Sequence, residues 1–260
     1  MLKKIYNWSS SWTGTIVIVL TIIFFVAQAF VIPSGSMKNT LLIGDMLFVK
    51  KFSYGVPTPT IPWIEVKVLP DFKGNGHLIE GERPKRGDIV VFRYPHDPDI
   101  HYVKRAVATS GDTIFLKNKI LYLHPKEGND FVKTEFKDYE TIDIDGKLFV
   151  VSPYEKEHKG IHNDPEVTRN LIAPKELFDM QEIVIPEDET FMMGDNRDHS
   201  NDSRFWGSVP YKYIVGKPWF IYFSWDDDYK IRWDRVFRTV ESLEKDIDTT
   251  AEIKHEEGIY

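Results

Sequence analysis

A chain of 260 residues, 42% hydrophobic, 14% aromatic and 28% charged, has the composition of a globular protein with one sizeable core or two small ones, not of a disordered chain. Its formal charge of -7 and pI near 5.7 argue against a phosphate backbone as partner, so no nucleic acid is expected. It has no cysteine, so its fold rests on no disulfide, which suits either side of a membrane.

After an N-terminal arm (1–12), residues 13–32 carry no charge, and only three threonines, Gly14 and Gln28 interrupt their apolar character. About 20 such residues match a hydrocarbon core of about 30 Å, so one transmembrane helix is predicted there. Trp8 and Trp12 suit an aromatic belt at its edge. Ala27-Gln28-Ala29 has the form of a signal-cleavage site, but the apolar stretch exceeds that of a removed signal. Lys3 and Lys4 before the span and Lys38, Lys50 and Lys51 after it leave the orientation undecided by charge.

The stretch Pro33-Ser34-Gly35-Ser36-Met37 follows at once. Small neighbours around Ser36 would let a substrate backbone approach a hydroxyl held out of regular structure. A lone Ser-Gly-Ser is ordinary loop material, so a nucleophile here needs a base from elsewhere. Leu47-Phe48-Val49 reads as a short strand, and residues 53–82, rich in Pro and Gly, as a loop or insertion. Arg86-Gly87-Asp88 is a turn before the buried strand Ile89–Phe92. A second strand covers residues 102–108. Thr113–Leu116 and Ile120–Leu123 flank Asn118-Lys119 as a hairpin whose two central residues would need positive φ. Residues 124–182, charged and with a second hairpin at Asp145-Gly146, read as an inserted subdomain. The core resumes at Phe191-Met192-Met193, breaks into the polar run 194–204 and returns at Trp219–Phe223. Val236, Val240, Leu243 and Ile247 keep helical spacing, predicting a C-terminal helix that docks on the domain. The expected class is mostly β, with core segments at 33–123 and 183–233, the insertion between them, and a charged helix and tail over 234–260.

A serine hydroxyl needs a positioned base. There is no Gly-x-Ser-x-Gly elbow, and the eight histidines lie mainly in charged, loop-like stretches. Lys104 lies within an apolar strand, where desolvation, with Arg105 adjacent, would lower its pKa and leave an amine able to accept a proton. A strand-edge lysine facing solvent fits the pattern equally well. The run Gly194-Asp195-Asn196-Arg197-Asp198-His199-Ser200-Asn201-Asp202-Ser203-Arg204 fits a solvated turn or a set of groups that orients others. It lacks the flanking helices and closing Glu of a calcium loop. His158 and His162, four apart, lack the apolar helical support of a zinc site, so no metal is assigned.

In order along the chain, the Ser36 stretch, Arg86–Phe92, Tyr102-Val103-Lys104-Arg105 with Gly111-Asp112, and Gly194–Arg204 with Trp206-Gly207 resemble the boxes of bacterial type I signal peptidases. The resemblance covers the apolar segment and core, roughly half the chain. The stretches 53–82 and 124–182 correspond to variable insertions, and Ile231–Arg235 looks like the tail of proteobacterial members. It implies a membrane-bound serine endopeptidase that removes signal peptides of secretory preproteins after Ala-x-Ala, with no cofactor. Ser36 would be the nucleophile and Lys104 the general base. The Ser36 N–H and Ser34 hydroxyl would form the oxyanion hole, and Ser200 would orient the lysine. Arg105, Asp195, Asp202 and Arg204 would support the site. Phe30, Ile32, Met37, Leu41, Val91 and Val103 would line pockets for small side chains. The family places the catalytic domain on the periplasmic side of the bacterial inner membrane on a single span, with the lipid bilayer and the export machinery as further partners.

Two other readings stand beside it. A LexA-like self-cleaving Ser-Lys protease would be expected to carry a regulatory module in place of the N-terminal span. An inactive membrane-anchored binding protein would keep the fold without the activity, against which the presence of Ser36, Lys104 and Ser200 argues.

Overall fold

Runs rich in β-branched and aromatic residues form strands in the computed structural model of the protein, which describes residues 2–61, 66 and 68–247. Two helices, α1 (Leu2–Ser9) and α2 (Trp12–Thr21, continued by a π-turn over Ile22–Val26), lead into β1 (Ala27–Val31) and β2 (Asp45–Lys50). Next come β3 (Gly55–Pro57), β4 (His77–Glu80), β5 (Ile89–Tyr94), β6 (Asp97–Thr109), β7 (Thr113–Lys117) and β8 (Ile120–His124). After α3 (Asn129–Glu135) follow β9 (Thr141–Ile144), β10 (Lys147–Val151), β11 (Met180–Val184) and β12 (Glu189–Met193). The chain closes with α4 (Ser203–Trp206), β13 (Val209–Pro210), β14 (Ile214–Ser224) and α5 (Val240–Lys245).

The mostly β class is observed. A seven-stranded sheet has the order β1-β2-β14-β5-β6-β12-β13, a five-stranded one β11-β7-β8-β10-β9, and β3 pairs with β4. The second sheet therefore joins β7 and β8 to β9, β10 and β11 and does not follow a boundary at residue 124. The two-residue hairpins form as their sequences require, with positive φ at Asn118, Lys119, Asp145 and Gly146. The stretch 53–82 contributes β3 and β4 rather than loop alone.

The run 13–32, predicted as one spanning helix, divides. Its helical part ends at Val26, where the Lys51 N–H donates to the Val26 carbonyl at 3.1 Å. Residues 27–31 then pair with β2, from Ala27 opposite Lys50 to Val31 opposite Met46. Ladder pairing with β2 satisfies the backbone groups on one edge of this strand, and Ile32 is buried in the core beside Met37 and Leu41, so the apolar side chains find protein partners. The Ala27-Gln28-Ala29 tripeptide thus lies inside a paired strand. No single helix among the described residues is long and apolar enough to cross a membrane. The Lys3–Ser9 and Trp12–Val26 helices, which meet at 81°, pass that test of length and composition only as a pair. Their corner is close: a Cβ on Gly14 would collide with the Trp8 carbonyl oxygen.

The C-terminal helix is shorter than predicted, and the part of the tail from residue 248 onward lies outside the described residues. Phe237 N donates to the Ile221 carbonyl at 2.7 Å and Ile221 N to the Arg238 carbonyl at 2.9 Å, so 237–238 extends along β14 instead of coiling. Thr239 then caps α5 by accepting from Ser242 N. Val240 and Leu243 are buried in the cluster that holds Ile32, Met37, Leu41, Val91 and Ile221.

Ahead of α5, Arg235 donates from Nε and Nη2 to the two oxygens of Asp45 at 3.0 and 2.7 Å. Asp45 is fully buried and also accepts from Ser224 Oγ and Leu42 N. Breaking a buried pair from one side costs about 3–5 kcal/mol. Arg235→Ala is therefore expected to lower the melting temperature by about 10 °C or more, and a thermal scan showing an unchanged midpoint would refute this.

Candidate active site

The site begins at the end of β1. Past Ile32 the chain turns through Pro33 and Ser34 into a single 3-10 turn, Gly35–Met37, with Met37 driven into the core and Ser36 just beneath the surface. Its carbonyl accepts from Asn196 N at 3.1 Å, and Asn196 Nδ2 donates to the Gly35 carbonyl at 3.1 Å. The polar run after β12 thus fixes the turn from behind. Gly194 has a purely spatial role there, because a Cβ on it would collide with the Ser36 carbonyl oxygen and with Ser200 Oγ.

Lys104 reaches the same point from β6. Strand periodicity puts Tyr102 and Lys104 on one face and Arg105 on the other. Lys104 Nζ lies 2.7 Å from Ser36 Oγ and 3.1 Å from the Val103 carbonyl, and 5.1 Å from the centre of the Tyr102 ring. Only 4% of Lys104 is exposed. Burial, aided by the Arg204 charge and opposed by Asp202 and Asp195, pushes its pKa down to about 8. The expected depression is present, with one correction. The cation that contributes is Arg204, not the adjacent Arg105, whose charge is spent on the opposite face of the strand.

There Arg105, fully buried, donates from Nε and Nη2 to Asp195 at 2.7 Å each, from Nη1 to the Gly87 carbonyl at 2.7 Å, and from Nη2 to Glu244 at 2.6 Å. Asp195 also accepts from Thr40 Oγ1 at 2.6 Å. Burial pushes the Asp195 carboxyl up, but Arg105 and Thr40 outweigh it and hold it below the usual carboxylate range. Arg204 binds both oxygens of Asp202 at 2.8 and 2.9 Å, and Asp202 in turn accepts from Gly194 N at 3.0 Å. Burial raises the Asp202 pKa, and the Arg204 charge with these bonds overcomes it.

Ser34 Oγ stands 3.3 Å from Ser36 Oγ. Ser200 is buried beside Gly194 and the Asp202 carboxylate, and it makes no hydrogen bond to Lys104. A cleft of about 420 Å³ opens over Ser36 and Lys104. Phe30, Ile32, Met37 and Val103 line it, and Ile100, His101, Tyr102, His199 and Asn201 join them. Leu41 and Val91 are fully buried in the core cluster instead and support the wall from behind. Thr40 and Glu244 carry no signal of their own in the sequence, since each matters through a partner far along the chain.

The described residues contain no group of three or more potential metal-ligating side chains. His158 bonds Glu244 at 3.0 Å, while His162 faces Asn39 and the Gly160 carbonyl, so the two are engaged separately. A larger cleft of about 1120 Å³ between Arg86, Tyr154 and Asp188 does not reach Ser36.

With this geometry established, comparison with known proteins gives a consistent result. A signal peptidase I of Helicobacter pylori is 50% identical over 94% of this chain and 96% of its own length. One from Pseudomonas aeruginosa is 38% identical over 85% of this chain and 73% of its own length. Among solved structures, a signal peptidase I from Enterococcus faecalis matches at 22% identity over 52% of this chain and 97% of its own, with a TM-score of 0.31. That score is too low to bear on the fold. The model of the family described as signal peptidase, peptidase S26, matches residues 5–225, and the chain belongs to that family of serine peptidases.

Proposed function

We propose that the chain removes signal peptides from exported preproteins, cleaving after Ala-x-Ala, with Ser36 as nucleophile and Lys104 as general base. The observation that carries this reading is the 2.7 Å approach of a desolvated lysine amine to a serine hydroxyl at the floor of a cleft. The neutral amine takes the Ser36 proton as Oγ attacks the scissile carbonyl. The Ser36 N–H and Ser34 hydroxyl stabilise the oxyanion, each such donor contributing about 3 kcal/mol. The Lys104 ammonium then protonates the departing amine of the mature protein, leaving the signal peptide as an ester on Ser36. Lys104 next activates the water that hydrolyses this ester. The pairs Arg105–Asp195 and Arg204–Asp202 hold the base's strand and the turn in place, with Ser200 packed beside Gly194 behind them.

The substrate would lie extended. Among the described residues, β1 has no second neighbour in its sheet beyond β2, and the half of β6 before Arg105 pairs only with β5. Phe30–Ile32 and Ile100–Val103 therefore face each other across the cleft, offering backbone groups to an added strand. Phe30, Ile32, Met37 and Val103, backed by Leu41 and Val91, would reject bulky side chains by occupying the space. The apolar Trp12–Val26 helix passes into β1 with no linker, which favours anchoring in the lipid bilayer with the cleft at its surface. In this reading the protein is a single-pass protein of the bacterial inner membrane, its catalytic domain is periplasmic, and the export machinery delivers its substrates.

Detergent-solubilised protein incubated with a secretory precursor tests this. The new N-terminus is expected directly after the second Ala of Ala-x-Ala, and replacing that Ala by Leu is expected to slow cleavage at least about tenfold. Cleavage elsewhere, or indifference to Leu, would refute the assigned specificity.

A further inference from the structure

The region matched by the family ends at residue 225, yet the segment beyond it is built into the site. We infer that Glu244, on α5, is a positioning residue for the peptidase reaction, acting on Lys104 and Ser36 through Arg105. The inference rests on the Ser36–Lys104 reading and extends it to α5, a part of the chain that carries none of the motif residues.

Arg105 is fully buried, and its guanidinium needs acceptors on every side. Asp195 takes Nε and one Nη2 bond, the Gly87 carbonyl takes Nη1, and Glu244 Oε1 takes the remaining Nη2 bond at 2.6 Å. Glu244 is itself held. Its side chain is 13% exposed and its carboxylate also meets His158 Nδ1 at 3.0 Å. Burial pushes its carboxyl up, but His158 and Arg105 outweigh that and keep it ionised below the usual range. The helix carrying it is anchored by Val240 and Leu243 in the core beneath Met37.

What Arg105 holds gives this contact its reach. Arg105 is the neighbour of Lys104 on β6, and its partner Asp195 grips Thr40, three residues beyond Met37, at 2.6 Å. Asp195 directly follows Gly194, against which the Ser36 carbonyl packs. One guanidinium therefore ties the base's strand to the nucleophile's turn. Replacing a charged acceptor of a buried guanidinium by a weaker neutral one lets the guanidinium move toward its remaining partners, and the distance between Lys104 Nζ and Ser36 Oγ moves with it. The sensitivity of rate to small displacements of reacting groups places the loss in kcat rather than in substrate binding.

The test uses the full chain in detergent and a preprotein substrate, below the melting temperature of every variant. Glu244→Gln is expected to lower kcat about tenfold with KM changed less than twofold. In an Arg105→Lys background the same substitution is expected to change kcat less than twofold, because the link is already cut. Glu241→Gln, on the same helix and away from Arg105, is expected to keep wild-type turnover. Leu243→Ala, which loosens the helix but keeps the carboxylate, is expected to lower the melting temperature and leave kcat within threefold. Should Glu244→Gln not fold, Glu244→Leu serves in the same comparisons. Unchanged kcat in Glu244→Gln, an equal loss in both backgrounds, or an equal loss in Leu243→Ala would overturn the inference. Failure of the underlying reading is separately visible, as retained turnover in Ser36→Ala or Lys104→Arg enzyme.

Discussion

Lys104→Arg is expected to abolish measurable turnover, with kcat falling about 10³-fold or more, while the protein still folds and binds precursor. Arginine stays protonated at any accessible pH and cannot accept the Ser36 proton. Ser36→Ala is expected to cost at least as much, and the two together no more than either alone, because they act as one unit. The wild-type pH profile carries the same information. With Lys104 at about 8, kcat/KM is expected to climb through that pH and level off above it, since only the neutral amine is a base. A profile flat between pH 7 and 9, or substantial turnover by the arginine variant, would remove the lysine from the mechanism. Stability should move in the same direction. The folded pKa of about 8 lies below the ordinary value of 10.5, so the unfolded chain binds more protons between them and stability rises with pH across that window. Below pH 8 the amine is protonated in both states and the cost of burying its charge is felt in full.

Gly194→Ala is expected to reduce kcat about 100-fold in a protein that still folds. The added methyl group would meet the Ser36 carbonyl oxygen, a backbone atom, as well as Ser200 Oγ. The Ser200 hydroxyl can rotate away, but Ser200 Cβ and the Ser36 carbonyl can move only with their backbones. Relief of the clash therefore shifts the Ser36 turn and the Ser200 segment apart and disturbs the approach of Ser36 to Lys104. Wild-type kcat in this variant would show that the turn is not held against Gly194 as described.

Much of this arrangement can be read from the chain before any coordinates. Ile89–Phe92 and residues 102–108 are apolar enough to declare strands, and Asn118-Lys119 and Asp145-Gly146 declare their hairpins. The helix-to-strand change at Ala27 is not legible in this way. Apolar residues suit a bilayer-spanning helix and a core strand equally, and what decides between them is the partner β2, a separate stretch of sequence. The source of the Lys104 field was half legible: burial followed from the strand, but adjacency in sequence suggested Arg105, and alternation along the strand turns it away. Leu41 and Val91 were expected at the cleft because apolar character marks burial without telling a lining residue from one behind it. Glu244 had no signal at all, since a Glu on a short charged helix looks solvated until Arg105 is seen beneath it.

The Asp45–Arg235 pair and the bond from Arg235 to the Thr40 carbonyl at 3.0 Å join the first strands of the seven-stranded sheet to a segment 190 residues further along the chain. Contacts so distant along the chain form late, after the loop between them has closed. During synthesis from the N-terminus, the turn bearing Ser36 therefore waits, with Asp45 lacking its arginine, until the segment around Arg235 has been made. The order in which the chain is made thus keeps the Ser36 turn unfastened until the segment that follows β14 has emerged.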